Sequence, residues 1–137
     1  MNAEPSVEAM NALMAGRLPG LIGMTVTEIG ASRIAGALTI RPGLLAPNGY
    51  LHAATVITLA DTLCGLGCRL ALPEDAAGFT TLELKSSFLG TCRDGTITCV
   101  AELQHGGRRT QVWDATVLDP GGRKIALFRC TQMILHR

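Results

Sequence analysis

Residues 52–70 form a run of helix length that is apolar on nearly every side: His52-Ala-Ala-Thr-Val-Ile-Thr-Leu-Ala-Asp61-Thr-Leu-Cys-Gly-Leu-Gly-Cys-Arg-Leu70. A helix with so little polar surface must be covered nearly all round, so the rest of the chain has to wrap it. No other apolar stretch reaches the length of a membrane span, and this one reads as a buried core helix. One carboxylate interrupts it. The residues sharing the helical face of Asp61, three and four positions away, are Ile57, Thr58, Cys64 and Gly65, and none can pair with an acid. Burying an unpaired carboxylate is costly, so Asp61 either faces water, accepts backbone hydrogen bonds at a subunit seam, or is held for chemistry. A turn signal, Pro47-Asn48-Gly49, precedes the helix, which opens with His52-Ala53-Ala54. A turn, an exposed helix N-terminus and an acid two turns later make a candidate active site.

The flanking patterns supply the wrapping. Val7, Met10, Leu13 and Met14 recur at helical spacing, with Pro5 near the start and Gly16 near the end, and predict an amphipathic helix over 5–16. Strand-like runs follow at 24–29 and 33–40. A Pro- and Gly-rich loop (41–51) leads into the long helix, which Pro73 stops. Beyond residue 78 the period changes to two, with runs at 80–89, 96–103, 110–118 and 124–135. Asp94-Gly95, Gly106-Gly107 and Asp119-Pro120-Gly121-Gly122 punctuate them, and an antiparallel meander is expected. One sheet can curl round one face of a helix but leaves the far side and its own edge open, which calls for a partner subunit. The chain is therefore expected to be α+β, one long central helix wrapped by an antiparallel sheet of about five or six strands. It reads as one domain over 1–137, with 1–19 as an N-terminal helical extension, in a dimer or larger assembly.

Composition narrows the function. A net charge of +1, with no basic stripe interleaved with aromatics, gives no electrostatic case for nucleic acid or an anionic membrane. Basic residues cluster only locally, at Arg108-Arg109 and Arg123-Lys124. Cys64, Cys68, Cys92, Cys99 and Cys130 show no metal-ligand spacing, and no metal site is expected. They fit reduced thiols, and the N-terminus MNAEPSVEAM lacks the basic and apolar regions of a signal peptide, so a cytoplasmic protein is expected. Cys64 as a nucleophile would need a base that helical spacing does not supply. Glu83 and Asp114 read as outward or subunit-bridging charges.

The string Ala46-Pro-Asn-Gly-Tyr-Leu-His52-Ala-Ala-Thr-Val-Ile-Thr-Leu-Ala-Asp61 resembles the hot-dog fold acyl-CoA thioesterases. The likeness is greatest to the PaaI-type group, related to the 4-hydroxybenzoyl-CoA thioesterases. Thr80-Thr-Leu-Glu-Leu-Lys-Ser-Ser-Phe-Leu89 and His105-Gly-Gly-Arg-Arg109 are similar to the same family's later strand and hairpin, so the resemblance runs from about residue 20 to 135. It implies hydrolysis of an acyl-CoA to the free acid and CoA. Asp61 would be general base or nucleophile, and the Ala53 backbone N–H an oxyanion donor. His52 would orient the carbonyl or the loop before it, and the Thr81 hydroxyl would help position water. Arg108, Arg109 and Thr110, with Arg93 second, would meet the CoA phosphates. CoA enters as part of the substrate, without a separate cofactor.

In that family the helix N-terminus and the acid at one site come from different subunits. This implies a homodimer with shared sites, associating as a dimer of dimers, a homotetramer. The roughly 13 Å between His52 and Asp61 along one helix agrees, since a single chain cannot converge them. This chain departs from the pattern at three points. Ala53-Ala54 replaces Gly-Gly, Ala46 replaces an Asn or Gln for which Asn48 is the nearest substitute, and Gly65 replaces a Thr found in one relative. Two other readings stay open: a hot-dog dehydratase or hydratase, and a non-catalytic acyl-CoA-binding module. Desolvation should raise the pKa of Asp61, with the partner helix dipole offsetting part of the rise.

Overall fold

Two short helices, α1 (Val7–Met14) and α2 (Leu18–Ile22), open the part of the chain described by the computed structural model, residues 5–137. The first four residues of the expected 1–19 extension lie outside the described residues. The helix expected over 5–16 forms as α1, and the unforeseen α2 makes a helical elbow with it. Ser6 caps α1 by accepting from the Ala9 N–H at 3.0 Å, Gly16 turns the chain at φ +73°, and Pro19 pre-sets the first turn of α2.

Six strands follow: β1 (Thr25–Gly30), β2 (Arg33–Thr39), β3 (Ala76–Phe88), β4 (Thr96–Gly106), β5 (Thr110–Leu118) and β6 (Lys124–His136). They form one antiparallel sheet in the order β1-β2-β4-β5-β6-β3. The meander expected from the sequence holds for β4-β5-β6 and fails for β3. The position beside β4 that a meander would give β3 is taken by β2, paired from Arg33↔Glu102 to Thr39↔Thr96. β3 therefore lies at the far edge, paired with β6 from Ala76↔His136 to Phe88↔Ala126, and Asp94-Gly95 belongs to a crossover rather than a hairpin. That pairing also draws the strand out to Ala76, ahead of the expected start at Thr80.

The apolar run forms α3 (Ala53–Leu70) and lies across one face of the sheet. It has the length and apolarity of a membrane span, yet Thr55, Val56, Leu59, Ala60, Leu63, Cys64, Gly67 and Cys68 are buried in the core, as expected for a core helix. They meet alternating inward residues: Ile97, Cys99 and Ala101 of β4, Trp113, Ala115 and Val117 of β5, and Phe128 and Cys130 of β6. Contact is close enough that a Cβ at Gly67 would lie 2.6 Å from the Trp113 ring, so only glycine fits there. Gln111 is buried between the layers. Its amide donates to the Ala71 carbonyl at the C-terminus of α3 (2.9 Å), and its oxygen accepts from the Trp113 indole (2.8 Å). A helix-end carbonyl that would otherwise be orphaned is thus satisfied inside the core. The opposite stripe of α3, including Ile57, Thr58, Asp61, Thr62, Gly65 and Arg69, is left at least partly open by this chain's own sheet.

Candidate active site

Leu44, at the end of a single 3₁₀ turn (Pro42–Leu44), anchors the entry to α3. Its carbonyl accepts from the His52 N–H at 3.2 Å and from the Thr55 hydroxyl at 2.9 Å. Between these points the predicted turn forms: the Asn48 side chain accepts from the Tyr50 N–H at 3.1 Å, and Gly49 takes φ +87°. His52 caps the helix. Its Nδ1 accepts from the Ala54 N–H at 2.9 Å, so the neutral ring carries its proton on Nε2. The Thr55 and Val56 amides return to the His52 carbonyl at 3.0 and 3.4 Å. Of the first-turn amides, that leaves Ala53 N–H alone without an acceptor among the described residues. It points from the positive end of the helix, where developing negative charge is favoured. A cavity of about 400 Å³ opens there, lined by Ala46, Asn48, Tyr50, His52, Ala53 and Phe88 among others.

Two turns along α3, Asp61 meets a different cavity. This one measures about 390 Å³ and is shared with Thr62, Gly65 and Leu66 of α3, Phe79 and Thr81 of β3, and residues of the N-terminal elbow. Oδ1 of Asp61 is buried and accepts no hydrogen bond from any described residue. Burial raises the pKa of the carboxyl above the ordinary 3.8, as expected from its apolar helix. A carboxylate with one oxygen buried and unpaired beside a cavity is a stronger base than one fully in water. Thr81 lines the same cavity, but its hydroxyl proton is already donated to the buried Gln132 side chain at 2.7 Å. Its oxygen keeps capacity only as an acceptor.

The five residues expected at the reaction centre thus divide between two cavities: Asn48, His52 and Ala53 in one, Asp61 and Thr81 in the other. The basic candidates divide as well. Arg93 stacks over the Tyr50 ring at 4.2 Å, beside the helix-entry cavity. Arg108 and Arg109 line a separate cleft with Met133, Ile134 and His136, and Thr110 follows them at the start of β5. Cys64 is fully buried, and its thiol is pushed strongly up by a hydrogen bond with Cys130 and by burial, while burial pushes Cys68 up to about 12. Neither is a nucleophile at neutral pH. Asp114 forms a bidentate pair with Arg129 on the outer face of the sheet, and Glu83 lies on that face near Thr131. Two cavity residues escaped the sequence reading: Arg17 in the elbow and Arg69 on α3. Arg69 carried a legible signal, since Asp61, Gly65 and Arg69 recur at four-residue steps on one helical face. Arg17 carried none.

Residues 48–126, more than half of the chain, match the sequence profile of the Thioesterase superfamily. The 1,4-dihydroxy-2-naphthoyl-CoA hydrolase of Listeria monocytogenes is 27% identical over 110 residues, covering 80% of this chain and 89% of that protein. The proofreading thioesterase EntH of Cronobacter sakazakii is 25% identical over 130 residues, covering 95% and 94%. Among solved structures, a variant thioesterase from Pseudomonas aeruginosa superposes with a TM-score of 0.93 over 99% of this chain and 98% of that one, at 24% identity. This last is a likeness of fold.

Proposed function

Because this chain belongs to the thioesterase superfamily and has its hot-dog fold, we propose that it hydrolyses an acyl-CoA thioester with Asp61 as the carboxylate that does the chemistry. The observation that carries this reading is the buried, unpartnered Oδ1 of Asp61 beside a cavity. As general base, Asp61 takes a proton from a water whose oxygen adds to the thioester carbonyl carbon. As nucleophile it adds to that carbon itself, and water then releases the acid. In either route the carbonyl oxygen gains negative charge, and the free N–H of Ala53 is suited to hold it. The C–S bond then breaks, CoA departs as the thiolate and is protonated, and the acid remains.

Ala53 and Asp61 are eight residues apart on one rigid helix, roughly 12 Å at 1.5 Å per residue. One thioester cannot reach both within a chain. A complete site therefore joins the Asp61 cavity of one protomer to the helix entry of its partner, in a homodimer whose seam covers the open stripe of α3. Leu82, Leu84 and Phe88 on the edge strand β3, exposed at 54%, 42% and 45%, support the same seam. Pairs of such dimers would give the tetramer. His52, with Nε2–H free to donate, would orient the substrate at the entry. Arg108, Arg109, Thr110 and Arg93 would meet the CoA phosphates.

Thiol release from a panel of aliphatic and aryl acyl-CoAs tests the reading. Asp61→Asn should lower kcat roughly 10²- to 10⁴-fold, the scale for a lost general base or nucleophile. Acyl-CoA that binds but releases no thiol with either protein would make this a binding module instead.

A further inference from the structure

We infer that the Asp61 cavity selects acyl groups whose far end carries a carboxylate, received by Arg17 and Arg69 across an apolar floor. This rests on the reading of the cavity as the acyl side of a thioester hydrolase. Beyond Asp61 and Thr81 the walls are Leu13, Met14, Leu66 and Phe79, which suit a hydrocarbon spacer, and the two guanidiniums are the only cations among the cavity's lining residues. Neither arginine has a carboxylate partner among the described residues, whose ion pairs are Arg33–Glu28, Arg129–Asp114 and His136–Asp75. Nor do they pair with Asp61, which no ion pair joins to a described residue. One cavity is therefore lined by an acid, by apolar side chains and by two fork-shaped cations without an ion-pair partner among the described residues.

Local helix stability accounts for Arg69 and leaves Arg17 unexplained. Arg69, in the last turn of α3, suits the negative end of that helix. Arg17 sits at the N-terminal end of α2, the wrong end for a cation, and its side chain makes no cap. Arg69 lies eight residues beyond Asp61 on α3, an axial rise of roughly 12 Å, and both line the one cavity.

The wall that presents Arg17 is fastened in place. Asn11 bonds both backbone groups of Val26, accepting from its N–H at 2.7 Å and donating to its carbonyl at 3.2 Å, which fixes α1 on edge strand β1. Arg41 donates to the Leu21 and Ile22 carbonyls at 2.8 and 2.7 Å, which holds the end of α2. A Cβ at Gly20 would lie 2.3 Å from the Met14 carbonyl oxygen, so the elbow closes only on glycine. A backbone wall fastened in this way keeps Arg17 at the cavity, where its planar fork suits a carboxylate.

The test compares adipoyl-CoA with hexanoyl-CoA, which share chain length and CoA and differ in the terminal carboxylate. The wild type should favour adipoyl-CoA in kcat/KM. Arg17→Gln with Arg69→Gln should collapse that ratio roughly 10- to 100-fold, the scale for losing charge-assisted hydrogen bonds. Arg17→Lys with Arg69→Lys should restore part of it, and circular dichroism confirms folding of each variant. A wild type that prefers hexanoyl-CoA, or a Gln variant in which both substrates fall together, overturns the inference; the latter assigns the arginines to CoA or to structure. If no acyl-CoA is hydrolysed at all, calorimetry with the thioether analogues of both substrates separates the two proposals. Tighter binding of the carboxylated analogue that the Gln variant loses upholds the anion pocket without hydrolysis, and equal binding overturns it.

Discussion

Among the described residues, an amide hydrogen at the first turn of α3 lacks an acceptor, and at Asp61, eight residues on, a carboxylate oxygen lacks a donor. These two regions of one helix are complementary, and the rigidity of the helix keeps them apart. Its core-facing side is different: the Thr55 hydroxyl bonds the Leu44 carbonyl, Gln111 bonds the Ala71 carbonyl, and Gly67 admits the Trp113 ring. The side toward the sheet is satisfied and close-packed, while the open side keeps two complementary groups unspent. A buried acceptor without a donor costs stability, so the survival of Asp61 at a cavity rim points to a use outside the folding of the single chain, whereas the exposed Ala53 amide is met by water.

Ala53→Pro gives the largest effect that tests this comparison. Proline at the first helical position removes only the N–H without an acceptor, and the extended backbone of His52 (φ −68°, ψ 135°) accepts a following proline. Thiol release should fall roughly 10²- to 10³-fold, the scale of one oxyanion donor, while the thermal midpoint changes little. Mixed with Asp61→Asn chains under conditions that exchange subunits, the Ala53→Pro protein should regain activity that neither has alone, because one site of the hybrid is intact. No recovery in verified hybrids would return both groups to a single chain's site.

A smaller contrast lies in two glycines of α3. Gly67→Ala pushes a methyl into Trp113 and should cost about 1–3 kcal/mol in denaturant unfolding. Gly65→Ala places its Cβ 3.6 Å from Phe79, an ordinary contact, and should gain up to about 1 kcal/mol from helix propensity while changing acyl selectivity. Equal stability of the two variants would break the distinction between packed and open faces.

The smallest effect is on stability at Asp61. Burial raises its folded pKa above the unfolded 3.8, so the ionised carboxylate costs stability above both values and nothing below them. Asp61→Asn should therefore be slightly more stable than the wild type near neutrality, with the gain vanishing below the unfolded value. Thermal scans across pH measure it. The acid limb of wild-type kcat/KM should likewise lie above 3.8.

Much of this was legible along the chain because it depends on local period and local chemistry. Alternation marked the strands, the apolar run marked α3, Pro47-Asn48-Gly49 marked the turn, and the lone acid marked Asp61. Strand order was not legible, because the choice of β2 rather than β3 as the neighbour of β4 is a long-range competition for one sheet edge. Gln111 as the satisfier of a helix-end carbonyl and Gln132 as the acceptor for Thr81 were hidden for a similar reason: a polar residue at an inward strand position gains its meaning only from what packs over it.

The sequence by itself determined that a helix with almost no polar side would be wrapped by antiparallel strands, and that its one acid would need a reason to be there. Periodicity and the cost of an unpaired charge act residue by residue, so both can be read before folding. Only the tertiary structure decided that Asp61 and the Ala53 amide face different cavities, and that a folded-back elbow brings Arg17 to the cavity that Asp61 lines. Those facts depend on the separation of groups on a rigid helix and on which distant segments pack together, and neither quantity exists until the chain has closed on itself.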